Sequence, residues 1–258
     1  MRPLRRRIDV DGHVFRVISS PHARADAPAI VLIHGIGMSH RYFSRLHRVL
    51  QTRAHVISVD LPGFAGLPTP SENLDVPQMS GLLARVLTSA TEHPVIVVGH
   101  SMGAQWAIDL AVQHPELARL VVVIGPVADD AHRTIGAQAV GLALDTVLES
   151  ALANAIVFTD YVRTGIGWYL RQVRPMLAYA PEERVPDLRA PLLVIRGSRD
   201  PIAGRAWSRR LRAHASDAVL VEVPGRGHVV QHSAPRAVAA AIIAHVPHAP
   251  SEGPEPSR

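Results

Sequence analysis

Ser101 lies in Gly99-His100-Ser101-Met102-Gly103, a serine between two glycines at Gly-x-Ser-x-Gly spacing. The run before it, Val95 to Val98, is β-branched and reads as a strand buried on both faces, and Ala104 to Val112 is helix-compatible. A serine on so tight a strand-to-helix turn needs neighbours without a Cβ, so that strand and helix can pack close beneath it. Its hydroxyl then stands clear of the backbone. The N–H of Met102 points toward the helix N-terminus, where developing negative charge is stabilised. This presents a weak nucleophile for acyl transfer. The same spacing also suits an ordinary turn whose serine caps a helix, so the partners of Ser101 decide between the two.

A serine nucleophile needs a base within hydrogen-bond reach and a carboxylate that holds the base in the right tautomer. Asp200 follows the strand-like run PLLVIRG, in Arg196-Gly197-Ser198-Arg199-Asp200-Pro201. His228 follows the last strand-like run, in Pro224-Gly225-Arg226-Gly227-His228. Both leave the carboxyl end of a predicted strand, the edge that also carries Ser101, in the chain order Ser, Asp, His. Asp200-Pro201 is also a good turn that could cap the next helix, and Asp129 and Asp130 compete for the acid. His232 and His214 are the alternatives for the base, although His214 sits among arginines on a helix face.

His34-Gly35-Ile36-Gly37 stands at another strand end, where a glycine loop can turn a backbone N–H inward, most simply that of Ile36, as a second oxyanion donor. Gly35-x-Gly37, with Asp60 about 25 residues on, also imitates a dinucleotide fingerprint. The third glycine is missing, because position 40 is histidine, and that reading leaves Ser101, Asp200 and His228 unexplained.

These residues need a scaffold. Ile8 to Ile18 alternates around Asp11-Gly12, a hairpin signal. Further strands are expected at Ala29–Ile33, His55–Val59, Leu120–Ile124, Pro191–Ile195 and Ala218–Val223. Helices are expected at Tyr42–Leu50, Gln78–Thr91, Arg205–His214 and Pro235–His245. The alternation predicts an α/β fold, a doubly wound, mostly parallel sheet with helices on both faces. From Val127 to about Leu188 no strand pattern appears, and glycines fall at Gly136, Gly141, Gly165 and Gly167. Residues 127–188 are therefore expected to be a helical cap inserted into a core of 1–126 and 189–246, with 247–258 a disordered tail. Ligands in such sheets bind outside the carboxyl ends of the strands, where an insertion becomes a lid.

The chain has 258 residues, no cysteine and no lysine, and a formal charge of +5. The lack of cysteine removes thiol nucleophiles and thiolate metal sites, and the lack of lysine removes Schiff-base and P-loop chemistry. The arginines are scattered apart from Arg5-Arg6-Arg7 and the Arg205, Arg209, Arg212 helix face, so no nucleic-acid footprint is read. Of 15 histidines none pairs at zinc-ligand spacing with a helical glutamate, and His40, His47, His55, His93 and His114 read as surface or loop residues. Trp106 reads as core. Phe158, Tyr161, Trp168 and Tyr169 are candidates to touch substrate from the cap. MRPLRRR is not followed by an apolar export region, and no window reaches the roughly 18 apolar residues of a membrane span, so a cytoplasmic protein is expected.

The phrases HGIG with Ser39 (34–39), DLPGF (60–64), GHSMG (99–103), GSRDP (197–201) and GRGH (225–228), in this order, resemble the α/β-hydrolase superfamily over nearly all of Ile8 to Val246. The resemblance implies Ser101 as nucleophile, His228 as base, Asp200 as orienting acid, Ile36 and Met102 as oxyanion donors, and no cofactor or metal. Ser101 sets the chain apart from members with an aspartate nucleophile, and His100 stands where carbon–carbon hydrolases often carry asparagine. After Asp60 members usually carry Gly-Phe-Gly-x-Ser, whereas this chain has Gly63-Phe64-Ala65-Gly66-Leu67. The expected activity is hydrolysis of a carboxylic ester of a small to medium apolar substrate through an acyl-enzyme. The alternatives are carbon–carbon, lactone or thioester hydrolysis on the same triad, or a ligand receptor on the same fold.

Overall fold

A computed structural model of the chain describes residues 3–22, 24, 27–91, 94–130, 133–134 and 151–247. Its strands are β1 (Leu4–Val10), β2 (His13–Ser20), β3 (Ala29–Ile33), β4 (His55–Asp60), β5 (Val95–His100), β6 (Ala118–Ile124), β7 (Leu192–Gly197) and β8 (Ala218–Val223). They form one sheet in the order β1-β2-β4-β3-β5-β6-β7-β8. The β1–β2 and β2–β4 pairings are antiparallel, and the other pairings are parallel. Asp11 (φ 53°) and Gly12 (φ 80°) both adopt left-handed backbone, which the right-handed twist of a two-residue hairpin demands. The Asp9 carboxylate accepts the Gly12 N–H at 2.8 Å.

The buried strands alternate strictly between two cores, because successive side chains point to opposite faces. Ile30, Leu32, Ile96, Val98, Val122 and Ile195 face one side, with Leu46 of α1 (Ser44–Leu50) and Ile242 of α9 (Pro235–Ala244). Val31, Ile33, Val97, Val123 and Val194 face the other. There they meet Leu83 of α2 (Val76–Ala90), Trp106 of α3 (Met102–Gln113) and Leu211 of α7 (Arg205–His214). Apolar cover on both faces explains why these strands read as unbroken hydrophobic runs. Trp106 is wholly buried, as expected.

Between β6 and β7 the described residues hold α4 (Ala151–Thr164), α5 (Ile166–Ala178) and the short α6 (Pro181–Arg184), with the break between α4 and α5 at Gly165. Gln105 of α3 donates to the Met176 carbonyl at 2.8 Å, and Gln172 donates to that of Leu74 at 3.2 Å. Trp168 sits edge-on to Phe64, ring centres 6.1 Å apart. Gly136, Gly141, His93 and the tail beyond Pro247 lie outside the described residues.

Several boundaries differ from expectation for local reasons. The helix expected from Tyr42 opens earlier, as a 3-10 turn at His40–Phe43 capped by Ser39. Helix α2 starts at Val76, not Gln78, because Asp75 and Gln78 form a reciprocal capping box. A short helix, α8 (Val230–Ser233), was not foreseen. His47 corrects the surface reading. It is buried, with Nδ1 2.7 Å from Ser58 Oγ and Nε2 2.9 Å from Ser20 Oγ. No helix among the described residues is long and apolar enough to cross a membrane.

Candidate active site

Ser101 connects β5 to α3 with φ 56° and ψ −124°, a backbone state that L-residues rarely hold. Surrounding bonds hold it there: its N–H donates to the Ile124 carbonyl at 2.9 Å, and its own carbonyl accepts the Ala104 N–H at 3.0 Å. The flanking glycines leave no room for a side chain. A Cβ on Gly103 would stand 2.4 Å from the Ile33 carbonyl oxygen, and one on Gly99 would stand 2.1 Å from that of Gly103.

Asp200 sits three residues past β7, in a loop built to hold a carboxylate. Its Oδ1 accepts the N–H groups of Ile202 and Ala203, both at 2.8 Å, while Oδ2 faces His228 Nδ1 at 3.0 Å. Burial alone would raise the Asp200 carboxyl. The charge of His228, the hydrogen bond from it and the two backbone N–H groups outweigh that and hold it below the usual carboxylate range. Asp200 engages Nδ1 of His228 and so fixes the orientation of the ring. His228 and Ser101 line the same cavity.

Three of the four competing residues are engaged elsewhere. Asp129 and Asp130 take Arg210 at 2.6 and 2.5 Å, and the His214 ring bonds its own helix at the Arg210 carbonyl. His232 is buried. Asp60, which had imitated a dinucleotide-binding acid, is fully buried and accepts from Arg16 at 2.9 Å and from the His40 N–H at 2.6 Å and ring at 2.8 Å. His40 is thereby a structural ligand of Asp60 and not a surface residue. His34 bridges the same region, its Nδ1 donating to the Gly35 carbonyl at 2.8 Å and its Nε2 accepting the Leu61 N–H at 3.1 Å. Burial lowers its imidazole below the ordinary value, which suits this neutral tautomer.

The structural roles of two residues of the site escaped the sequence reading. His100 is buried against His228, rings 4.7 Å apart, and its Nε2 donates to the His228 carbonyl at 3.1 Å. Burial, then the neighbouring His228, push its imidazole well below the ordinary value. Arg196, buried at the end of β7, donates to the carbonyls of Ala203 at 2.7 Å and Asp200 at 3.3 Å and pairs with Glu222, clamping the acid loop. The variable position of the serine motif hid the first. An arginine inside a strand run hid the second.

The cavity beside Ser101 measures about 80 Å³. Gly35, Ile36 and Met38 line it from the loop after β3, and Val127, Ile202 and Val229 add apolar wall. Asn154, Val157, Tyr161, Tyr169 and Met176 close it from α4 and α5. Of the four aromatics singled out in that region, Tyr161 and Tyr169 reach the cavity, Trp168 is core and Phe158 is 71% exposed.

The alpha/beta hydrolase family model matches residues 30–241. The chain belongs to that family of hydrolases. Over 106 residues, 41% of this chain, it is 36% identical to a provisionally named carbamate hydrolase, RutD, of Escherichia coli O157:H7 (strain EC4115). That match spans 40% of the relative's length. A fuller alignment with RutD of Escherichia coli O103:H2 (strain 12009) covers 87% of this chain and 93% of the relative at 26% identity. Among solved structures, the enol-lactonase of Burkholderia xenovorans LB400 superposes with a TM-score of 0.80 at 20% identity, over 93% of this chain and 98% of that one.

Proposed function

We propose that the chain is a serine hydrolase of small carboxylic esters, with Ser101 as nucleophile, His228 as base and Asp200 as orienting acid. The observation that carries this reading is the 3.0 Å contact of Asp200 with His228 Nδ1, on an imidazole that shares a cavity with a serine held at positive φ. His228 Nε2 takes the Ser101 proton as Oγ adds to the substrate carbonyl, and the N–H groups of Ile36 and Met102 hold the oxyanion. The tetrahedral centre collapses, and the alkoxide leaves with the proton from His228. Water, deprotonated by His228, then releases the acid from Ser101. Residues 127–188 act as the cap over this centre, and the steps require no cofactor or metal.

The cavity narrows the substrate. At about 80 Å³ it falls well below the roughly 300 Å³ at which drug-sized pockets begin, so the acyl group is compact. Tyr161, Tyr169 and Asn154 add polar groups to an otherwise apolar wall. That mixture favours a second substrate class, a small carbamate, which passes through the same tetrahedral centre and matches the name borne by the Escherichia coli relative.

The test is turnover of p-nitrophenyl acetate, butyrate and octanoate, and of a p-nitrophenyl carbamate, by wild type and Ser101→Ala, with fluorophosphonate labelling read by mass spectrometry. Wild type is expected to label at Ser101, prefer acetate to octanoate, and lose about three orders of magnitude in kcat on substitution. A fully active Ser101→Ala protein would refute the nucleophile. Labelling with carbamate but no ester turnover would select the second class.

A further inference from the structure

We propose that Asp160 is a positioning residue that holds the loop carrying the Ile36 oxyanion donor, an inference that rests on the serine-hydrolase reading above. Helix α4 departs at three positions from the pattern of an ordinary surface helix. Its apolar Phe158 and Val162 are 71% and 67% exposed, while its carboxylate at Asp160 is fully buried. A buried carboxylate persists only where donors replace water. Both donors here come from one short segment 120 residues away. Ser39 Oγ donates to Asp160 Oδ2 at 2.5 Å, and the Arg41 guanidinium donates to Oδ1 at 3.2 Å. Ser39 Oγ also accepts the Arg41 N–H at 3.3 Å, so the three groups form a closed set.

The next turn of the same helix continues the grip. Thr164 donates its hydroxyl to the Gly37 carbonyl at 3.2 Å, and the Tyr161 ring lies so close over Gly37 that a Cβ there would meet its Cε1 at 2.2 Å. Residues 160, 161 and 164 thus hold residues 37, 39 and 41. That segment is continuous with the site. The Met38 N–H returns to the Gly35 carbonyl at 3.2 Å, closing a turn around Ile36, and Gly35 packs so tightly on Ser101 that a Cβ would stand 2.9 Å from the serine Cβ. An oxyanion donor acts only when its N–H is aimed before charge develops, and a displacement near 1 Å costs about a hundredfold in rate. Ser39 is the handle by which Asp160 sets that aim.

Ser39→Ala, Asp160→Ala, Asp160→Asn and the Ser39→Ala/Asp160→Ala pair test this by p-nitrophenyl acetate kinetics and by hydrogen exchange of the 34–41 segment. Ser39→Ala and Asp160→Ala are expected to lower kcat about 10- to 100-fold with KM within about threefold, and the double variant no further than the worse single. Asp160→Asn, which can still accept the Ser39 hydroxyl, recovers most of that kcat even where its Tm falls. Exchange in 34–41 is expected to quicken about tenfold or more while that of β5 is unchanged. Unchanged exchange, unchanged kcat, or an additive double variant would each overturn the assignment. Absence of Ser101 labelling in wild type would instead sink the serine-hydrolase reading, and the exchange measurement would still decide whether Asp160 holds the loop.

Discussion

Ala65 holds left-handed backbone, φ 56°. A Cβ in that region costs roughly 1 kcal/mol. The conformation is held from outside, since the Ala65 carbonyl accepts Arg163 at 3.1 Å and Arg16 at 3.3 Å. Ala65→Gly relieves the Cβ but loosens the unfolded chain, and the net is an expected gain of about 0.5 kcal/mol. A higher urea midpoint with an unchanged m-value would register it, and a lower midpoint would show that the alanine is unstrained. Residues of this kind set how much of the site was legible. Ser101, Asp200 and His228 stand out because each follows a glycine-bounded apolar run. Asp160 acts through Ser39 and Arg41, far away in the chain, and Arg196 through the carbonyls of the loop that follows it, and no spacing rule points to either.

At the scale of elements, the parallel strands were read within one or two residues because most are buried apolar runs, whereas β1 starts at Leu4, four residues before the expected Ile8, because its first residues are exposed and charged. Helix starts were less legible, since capping is decided by side-chain geometry. Asp75 makes the point: it accepts the Gln78 N–H at 2.8 Å while Gln78 returns to the Asp75 N–H at 3.0 Å, and Pro77 follows at the helix start. Asp75→Ala is expected to cost about 1 kcal/mol, read as a fall in Tm, with ester kinetics unaffected because α2 lies away from the cavity. Retained Tm would mean that Pro77 alone sets the helix start. Helix α4 defeated its apolar pattern for the reason already given: Asp160 faces in while Phe158 and Val162 face out.

Across the whole molecule, buried histidines make the fold sensitive to acid. Burial, with smaller effects from His40 and His55, lowers the His47 imidazole from 6.5 to about 4. The unfolded chain therefore takes up the proton first as pH falls. Stability from His47 is intact above pH 6.5 and is lost progressively down to about pH 4, by at most about 3 kcal/mol. Urea midpoints at pH 7.5, 5.5 and 4.5 are expected to fall steeply for wild type and less steeply for His47→Asn. Parallel slopes would assign the acid sensitivity to other groups. The sequence reading missed this because a helical histidine between arginines looks solvated until Ser20 of β2 and Ser58 of β4 close on it.

The antiparallel ribbon at the start of the chain bears on how the molecule behaves in company. Strand β1 ends the sheet order and is exposed along most of its length, with Arg5, Arg6 and Arg7 in succession. An open strand margin is a template for another chain, and here the template bears fixed positive charge on both of its faces. A second copy docking edge to edge would bring two sets of three guanidinium groups together across a few ångströms, with no lysine to shed its charge. Sheet growth by end-on stacking is electrostatically terminated at β1, and salt, by screening that repulsion, is the solution variable that would weaken the barrier.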